Sequence, residues 1–525
     1  MSLKNYKALF FSIILVILSS TLLTANTTQN LSTPLEKSKY KKLSSHDDLM
    51  NYLKEIDLLS NKVTIKTIGR SVEGREIPVA IISKDKVFAS NRNEKPVVLI
   101  YAQQHGNEPS GKEAALIIIR ELSLGSLQDL LQHLDILIVP QVNPDGAEKN
   151  QRRNANNMDL NRNHVILSEP ESIALHTLFL KWMPEVTVDI HETNASRKNW
   201  FCVGYMKDAE ENFDCVSNLN IAKEIREFSV NTFIPEVGKL VKKDGFSFSR
   251  YIVGGPPEVR RIRHSTTNIN DGRQSMGIYN TFSFILEGKR FNDVNSHIKR
   301  RTLGQVSAVR AILKTVADHR KEILSITHTA RADLIKAKEN QLVYLQMDYY
   351  PDPEQKTFTY PIFDLYSWKH VEKALDHYEP MVKVKKSVTR PVAYLFSQDQ
   401  SRLLELLRKH QIELFRLKKD TKVNVEVMTI MDVTNKEEED KPDVDVTVQT
   451  KSLRMGIKKG DYVVFLTQKA GNLIPLLLEP QSSWGICSER SGRKYRFAEF
   501  LKKREQYPIY RMVQKTKLSL EKMNK

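Results

Sequence analysis

Pro96-Val-Val-Leu-Ile-Tyr-Ala-Gln-Gln-His-Gly-Asn-Glu-Pro-Ser110 is the stretch on which the fold turns. The apolar run up to Tyr101 reads as a buried strand, and the polar residues after it read as a sharp loop at its end. That loop carries His105 and Glu108, an imidazole and a carboxylate three residues apart. Zinc accepts His nitrogen and Glu oxygen, and a catalytic zinc site needs three protein ligands with one position open. The pair is therefore two-thirds of such a site. The third ligand is expected far away in sequence, after another strand. His191, behind Val186-Thr-Val-Asp-Ile190, has that setting. Asp189 could face the other side of its strand and is left unassigned.

Outward from this stretch, strands and helices alternate. A helix is expected over Asp47–Leu58, then paired strands Val63–Ile68 and Ile77–Ile82 around the turn Gly69-Arg-Ser-Val-Glu-Gly-Arg75. The strand Val97–Tyr101 leads through the His105/Glu108 loop into a helix over Ser110–Leu122. A second buried strand, Leu134–Val139, runs into Asn143-Pro-Asp-Gly146, and a helix over Glu169–Trp182 precedes Val186–Ile190. Phe282-Ser-Phe-Ile-Leu286 is a further strand, ending on Glu287, and a long helical stretch over Val294–Leu334 follows. This pattern predicts an α/β fold with a mixed, largely parallel central sheet flanked by helices. Ligands in such sheets gather at the carboxyl ends of the strands. From about residue 340 short β-like runs dominate, with one clear helix over Ser401–His410, which predicts a β-rich α+β domain. Lys436-Glu-Glu-Glu-Asp-Lys-Pro442 reads as a solvated loop within it.

The chain has 525 residues, enough for two or three domains. Lys4, Lys7, the apolar run Leu9–Leu18 and Leu23-Thr-Ala25 read as a signal peptide cleaved after Ala25; an N-terminal anchor is the alternative. The expected organisation is a signal over 1–25, a polar lead-in over 26–45, a catalytic domain over 46–335 and a C-terminal β-rich domain over 340–525. This implies a secreted or periplasmic protein with no transmembrane span once the signal is removed. Cys202, Cys215 and Cys487 are too few for a disulfide scaffold; Cys202 and Cys215 could bridge or stay as thiols. The net charge of +17 suggests attraction to an anionic envelope surface. Its basic residues are dispersed and no nucleic-acid motif accompanies them, so no specific nucleic-acid partner is expected.

The run Gln151-Arg-Arg-Asn-Ala-Asn-Asn-Met-Asp-Leu-Asn-Arg-Asn163 is dense in Arg and Asn, donors suited to gripping a carboxylate. With Gly69-Arg-Ser-x-Glu-Gly-Arg75, His105-x-x-Glu108, Asn143-Pro-Asp-Gly146, His191 and Phe284-x-x-Glu287, it stands in the order found in the zinc carboxypeptidase family, the funnelins related to pancreatic carboxypeptidase A. The chain resembles that family over roughly residues 45–325, and its flavour is similar to exported bacterial members. Residues 340–525 also resemble a C-terminal domain attached to some of them.

The resemblance implies one zinc ion held by His105, Glu108 and His191. It implies that Asn161 and Arg162 bind the terminal carboxylate of a peptide or protein. It further implies that Arg152, with Arg153 as the fallback, polarises the scissile carbonyl, and that Glu287 is the general base. Two features depart from the family. Gly106-Asn107 stands where pancreatic enzymes have Ser-Arg, and the mobile tyrosine has no clear match: Tyr251 and Tyr279 lie at wrong spacings and His264 is near the expected place. Ser265–Met276 is expected to line the side-chain pocket. An inward Asp271 would favour basic C-terminal residues and an inward Arg273 acidic ones. The implied activity is removal of a C-terminal amino acid. The competing readings are an amidase or carboxypeptidase acting on cell-wall peptides or acylated amino acids, and a non-catalytic binding protein on the same fold.

Overall fold

The computed structural model describes residues 31–90, 92–336, 341–438, 441–489 and 496–523. The expected signal peptide and the first residues of the lead-in lie outside them. Among the described residues no helix is long and apolar enough to cross a membrane.

Strands β1 (Val63–Arg70), β2 (Glu76–Ile82), β3 (Val97–Ala102), β4 (Asp135–Val139) and β5 (Val186–Asn194) build one half of an eight-stranded sheet. Its order is β1, β2, β4, β3, β5, then Phe282–Arg290, Glu211–Cys215 and Phe248–Arg250. The four strands β4, β3, β5 and Phe282–Arg290 run parallel, β1 and β2 pair antiparallel to their neighbours, and Glu211–Cys215 is antiparallel to Phe282–Arg290 but parallel to the edge strand Phe248–Arg250. The sheet is thus mixed with a parallel centre, the expected α/β class. β3 and β4 are buried along their whole length, which is why they read as continuous apolar runs rather than alternating ones. Helices Ser110–Leu124 and Ile298–Asp318 pack on each other and on the sheet, and Pro170–Trp182 packs on β1.

Two strands run further than expected. β5 continues to Asn194 and its parallel neighbour to Arg290, so His191 and Glu287 lie within strands rather than behind them. The polar residues Glu192, Thr193 and Lys289 hide this extension from a reading based on apolarity. The stretch Val294–Leu334 is two helices, Ile298–Asp318 and Arg320–Lys336. The described residues of the charged run are strand rather than loop: Thr421–Glu438 and Lys441–Ile457 pair as one long antiparallel ladder in which Lys436 pairs with Asp443. Val and Thr at alternate positions favour extended backbone in both strands.

The C-terminal region contains a seven-stranded sheet whose recorded strand pairs are all antiparallel. Strands also cross from it to the rest of the chain. Phe358–Asp364 pairs with Tyr205–Lys207, and Tyr378–Glu379 pairs with Ile262–Arg263. His410 Nε2 donates to Val165 O at 2.7 Å. One hydrophobic core is continuous through both regions, from Leu49 and Leu99 to Leu477 and Ile509.

Candidate active site and metal centre

The loop after β3 turns at Gln103, whose φ is 56°, and presents His105 and Glu108. Asn143 holds it from behind: its Oδ1 accepts from Gly146 N at 2.9 Å, capping the helix Pro144–Glu148, and its Nδ2 donates to Gln104 O at 3.1 Å. A Cβ on Gly106 would lie 2.1 Å from the carbonyl carbon of Gly146, so only glycine fits where the loop crosses that helix. This accounts for the first residue of the Gly106-Asn107 departure. Asp145 in turn anchors the glycine-rich turn, accepting from Ser71 Oγ at 2.7 Å, Glu73 N at 2.9 Å and Arg75 Nη1 at 2.7 Å. The separate motifs read in the sequence are thus one hydrogen-bonded support.

His105, Glu108 and His191 converge and are all buried. Glu108 Oε1 is 3.0 Å from His105 Nδ1, its Oε2 is 3.0 Å from His191 Nδ1, and the two Nδ1 atoms are 3.0 Å apart. Burial raises the Glu108 carboxyl, but the two imidazoles outweigh it and hold the group well below the usual carboxylate range. The outer ring nitrogens meet carboxylates. His105 Nε2 is 3.1 Å from Asp159 Oδ1, and His191 Nε2 is 2.9 Å from Asp189 Oδ1. With Nε2–H directed at these carboxylates, both Nδ1 lone pairs point inward with Glu108, a set of like donors that needs a cation between them. The edge of a tetrahedral zinc site with bonds of ~2.05 Å is about 3.3 Å, close to these separations. The donor set fits zinc.

Asp189 and Asp159 are the candidate site residues that sequence reading leaves without a role. Residues two apart on a strand share a face, so Asp189 and His191 point the same way, and that periodicity is the available signal. Asp189 is itself held by Gln104 Nε2 at 2.9 Å. Gly272 lets Asp189 come close, since a Cβ there would sit 2.5 Å from Asp189 Oδ2. Asp159 also binds Arg152, Nη2 to Oδ2 at 3.0 Å.

Next to the triad opens a cavity of about 340 Å³. Its lining includes His105, Glu108, Arg152, Asn161, Arg162 and Glu287, so the residues implied as metal ligands, carboxylate clamp, carbonyl donor and base reach one space, except His191. Glu287 is paired with His191 in the parallel register. Burial pushes its carboxyl above the usual range, with His191 working against that rise. Arg153 turns away and donates to Asn157 O at 2.9 Å. Asn161 Oδ1 accepts from Gly272 N at 2.7 Å and so ties the Arg-Asn loop to the pocket wall.

The wall also includes residues without a sequence signal: Arg197, Arg263 and, from the C-terminal region, Trp484. Of the three candidates for the missing tyrosine, Tyr251 lines the cavity. Tyr279 packs against Phe179 in the core, and His264 Nε2 is 2.5 Å from the Tyr378 hydroxyl. Asp271 faces the cavity, whereas Arg273 is fully buried against Asp214 at 3.4 Å and Asp271 at 3.5 Å. All three cysteines are free, with Cys202 exposed and Cys215 buried.

Known proteins share this part of the chain. Residues 49–187 match the family model described as zinc carboxypeptidase. The chain is 26% identical to carboxypeptidase 2 of Trichophyton rubrum over 462 residues, covering 84% of this chain and 81% of that protein. It is 33% identical to human carboxypeptidase D over 144 residues, 23% of this chain and 10% of that one. The solved structure of carboxypeptidase A from Helicoverpa armigera is 18% identical, with a TM-score of 0.41 over 54% of this chain and 75% of the other. The family match spans β3, the loop that bears His105 and Glu108, and the Arg-Asn loop, and the likeness to carboxypeptidase 2 continues through most of the remainder; together they support a zinc metallocarboxypeptidase.

Proposed function

We propose that the protein is an exported exopeptidase that hydrolyses the last peptide bond of peptides or proteins, with Glu287 as general base. The observation that carries this reading is the convergence of the His105/Glu108/His191 donors, Glu287 and Arg162 around one cavity. A single zinc ion held by His105 Nδ1, Glu108 and His191 Nδ1 would activate water and polarise a carbonyl. Glu287, its carboxyl raised by burial, accepts a proton from the attacking water and returns it to the leaving amine. Arg162 and Asn161 take the substrate's terminal carboxylate; Arg162 forms no carboxylate pair of its own among the described residues. Arg152, tethered by Asp159, donates to the oxyanion that develops at the scissile carbonyl.

The reading of export to the periplasm or the medium is supported by Lys4, Lys7, the Leu9–Leu18 run and Ala25, and that of attraction to an anionic envelope by the net charge of +17. The proposed domain boundary near 340 is supported by the change in sequence texture there.

The test is digestion of a peptide library followed by mass spectrometry, with and without a chelator and with zinc restored. Stepwise loss of single C-terminal residues, abolished by chelation and by C-terminal amidation, is expected. Equal cleavage of amidated peptides would remove the role given to Arg162 and favour an amidase.

A further inference from the structure

Arg263 is the unusual member of the cavity wall. Ile262–Arg263 is a short strand clamped between Val253–Gly254 on one side and Tyr378–Glu379 on the other. The residue lines the cavity although it is only 6% exposed. Three arginines near it in sequence are paired: Arg250 with Asp214 at 2.8 Å, Arg261 with Asp348 at 3.1 Å, and Arg273 with Asp214 at 3.4 Å. Arg263 forms no ion pair among the described residues. Its Nη1 donates to Ser265 O at 2.7 Å and His264 O at 3.3 Å, and its Nε has no partner. The guanidinium lies over the Tyr349 ring at 5.5 Å, which helps to hold its plane.

A guanidinium keeps its charge and carries five N–H donors, and a buried charge is costly until an anion meets it. The two carbonyls do not neutralise it. Asp271 shares the wall, but its Oδ1 accepts from Gln274 N at 2.7 Å and its Oδ2 faces Arg273, so it offers less to a cationic ligand. Arg197 is placed differently: it donates to Thr193 Oγ1 at 3.1 Å and lies in the field of Tyr251 and Glu287, beside the chemistry. Resting on the carboxypeptidase reading above, in which Arg162 takes the terminal carboxylate, we infer that Arg263 receives a second carboxylate and that the enzyme selects substrates ending in Glu or Asp. The sequence offers Arg273 as the source of such a preference; the fold turns that residue inward to Asp214 and puts Arg263 on the wall.

The experiment compares peptides identical except for a C-terminal Glu, Asp, Gln, Phe or Lys, using the full-length protein, Arg263→Met and Arg263→Lys. The wild type is expected to favour Glu over its neutral isostere Gln by roughly 10- to 100-fold in kcat/KM, the range for a hydrogen bond to a charged group. Arg263→Met should bring Glu down to the level of Gln while Gln turnover stays within about threefold, and Arg263→Lys should restore part of the preference. A wild type that cuts Gln or Lys as well as Glu, or a variant that loses Glu and Gln equally, overturns the inference. Calorimetric binding of acetyl-glutamate against acetyl-glutamine reads the same preference without turnover. If no peptide is cut, the carboxypeptidase reading fails, and an Arg263-dependent preference in binding would still stand or fall separately.

Discussion

Glu287 lies beside His191 in the parallel register of two central strands. The proposed base and a metal-site histidine therefore share one face of the sheet; Glu287 is paired on both sides, with His191 and Asn212, while His191 lies one residue beyond the end of the β3 pairing at Ile190. Neither depends on a loop for its position, whereas His105 and Glu108 do. Replacing Glu287 with Gln preserves shape and removes the proton acceptor. A fall in kcat of roughly 10²–10⁴-fold with KM and zinc content unchanged is expected from steady-state kinetics and metal analysis. Unchanged kcat would point to a different base.

Asp189 and Asp159 hold the outer nitrogens of the two histidines. Asp189→Asn and Asp159→Asn should each weaken zinc binding by about 10- to 100-fold. Competition with a chromogenic chelator measures this directly. Asp159→Asn should also lower kcat beyond the metal loss, because it frees Arg152, whereas Asp189→Asn should not.

Gly106 crosses the backbone of Gly146 with no room for a methyl group. Gly106→Ala must push the His105 loop away from the helix, at a cost of about 1–3 kcal/mol. Urea unfolding should show that loss, together with weakened metal binding. Gly74, although its φ is 85°, has no neighbour within 4 Å of where a Cβ would stand, so Gly74→Ala serves as a comparison that strains the turn without touching the site.

His164 and His410 are buried and held near pKa 4 by desolvation. Above pH 6.5 both are neutral folded and unfolded, and their contribution is fully present. Below 6.5 the unfolded chain binds protons that the native state refuses, so stability falls with pH until about 4 at up to ~1.4 kcal/mol per pH unit for each group. Urea midpoints at pH 7, 6 and 5 should trace this slope. His410→Gln can still donate to Val165 O and should flatten the slope; an unchanged slope would assign it elsewhere.

The candidate metal donors, the Arg-Asn loop and the proposed base are legible in the sequence because each sits in a short motif with local spacing or directly on an apolar run. His105 and Glu108 are three residues apart, and Phe284 to Leu286 leads straight to Glu287. The alternation of buried strands and amphipathic helices likewise announces a parallel-centred sheet, since a strand covered on both faces must be apolar throughout. Strands such as Tyr205–Lys207 and Phe248–Arg250 are not legible, being short and polar.

The linear chain thus specifies which chemical groups are present and the order in which they enter the sheet. The direction of each long side chain is a tertiary outcome. Arg273 goes to Asp214 and Arg263 to the cavity, although they are ten residues apart on one stretch, because the partner carboxylate comes from another strand. Folding also brings Trp484 from the C-terminal region to the cavity wall. Charge pairing and burial are settled by neighbours distant in sequence, and no local pattern records them.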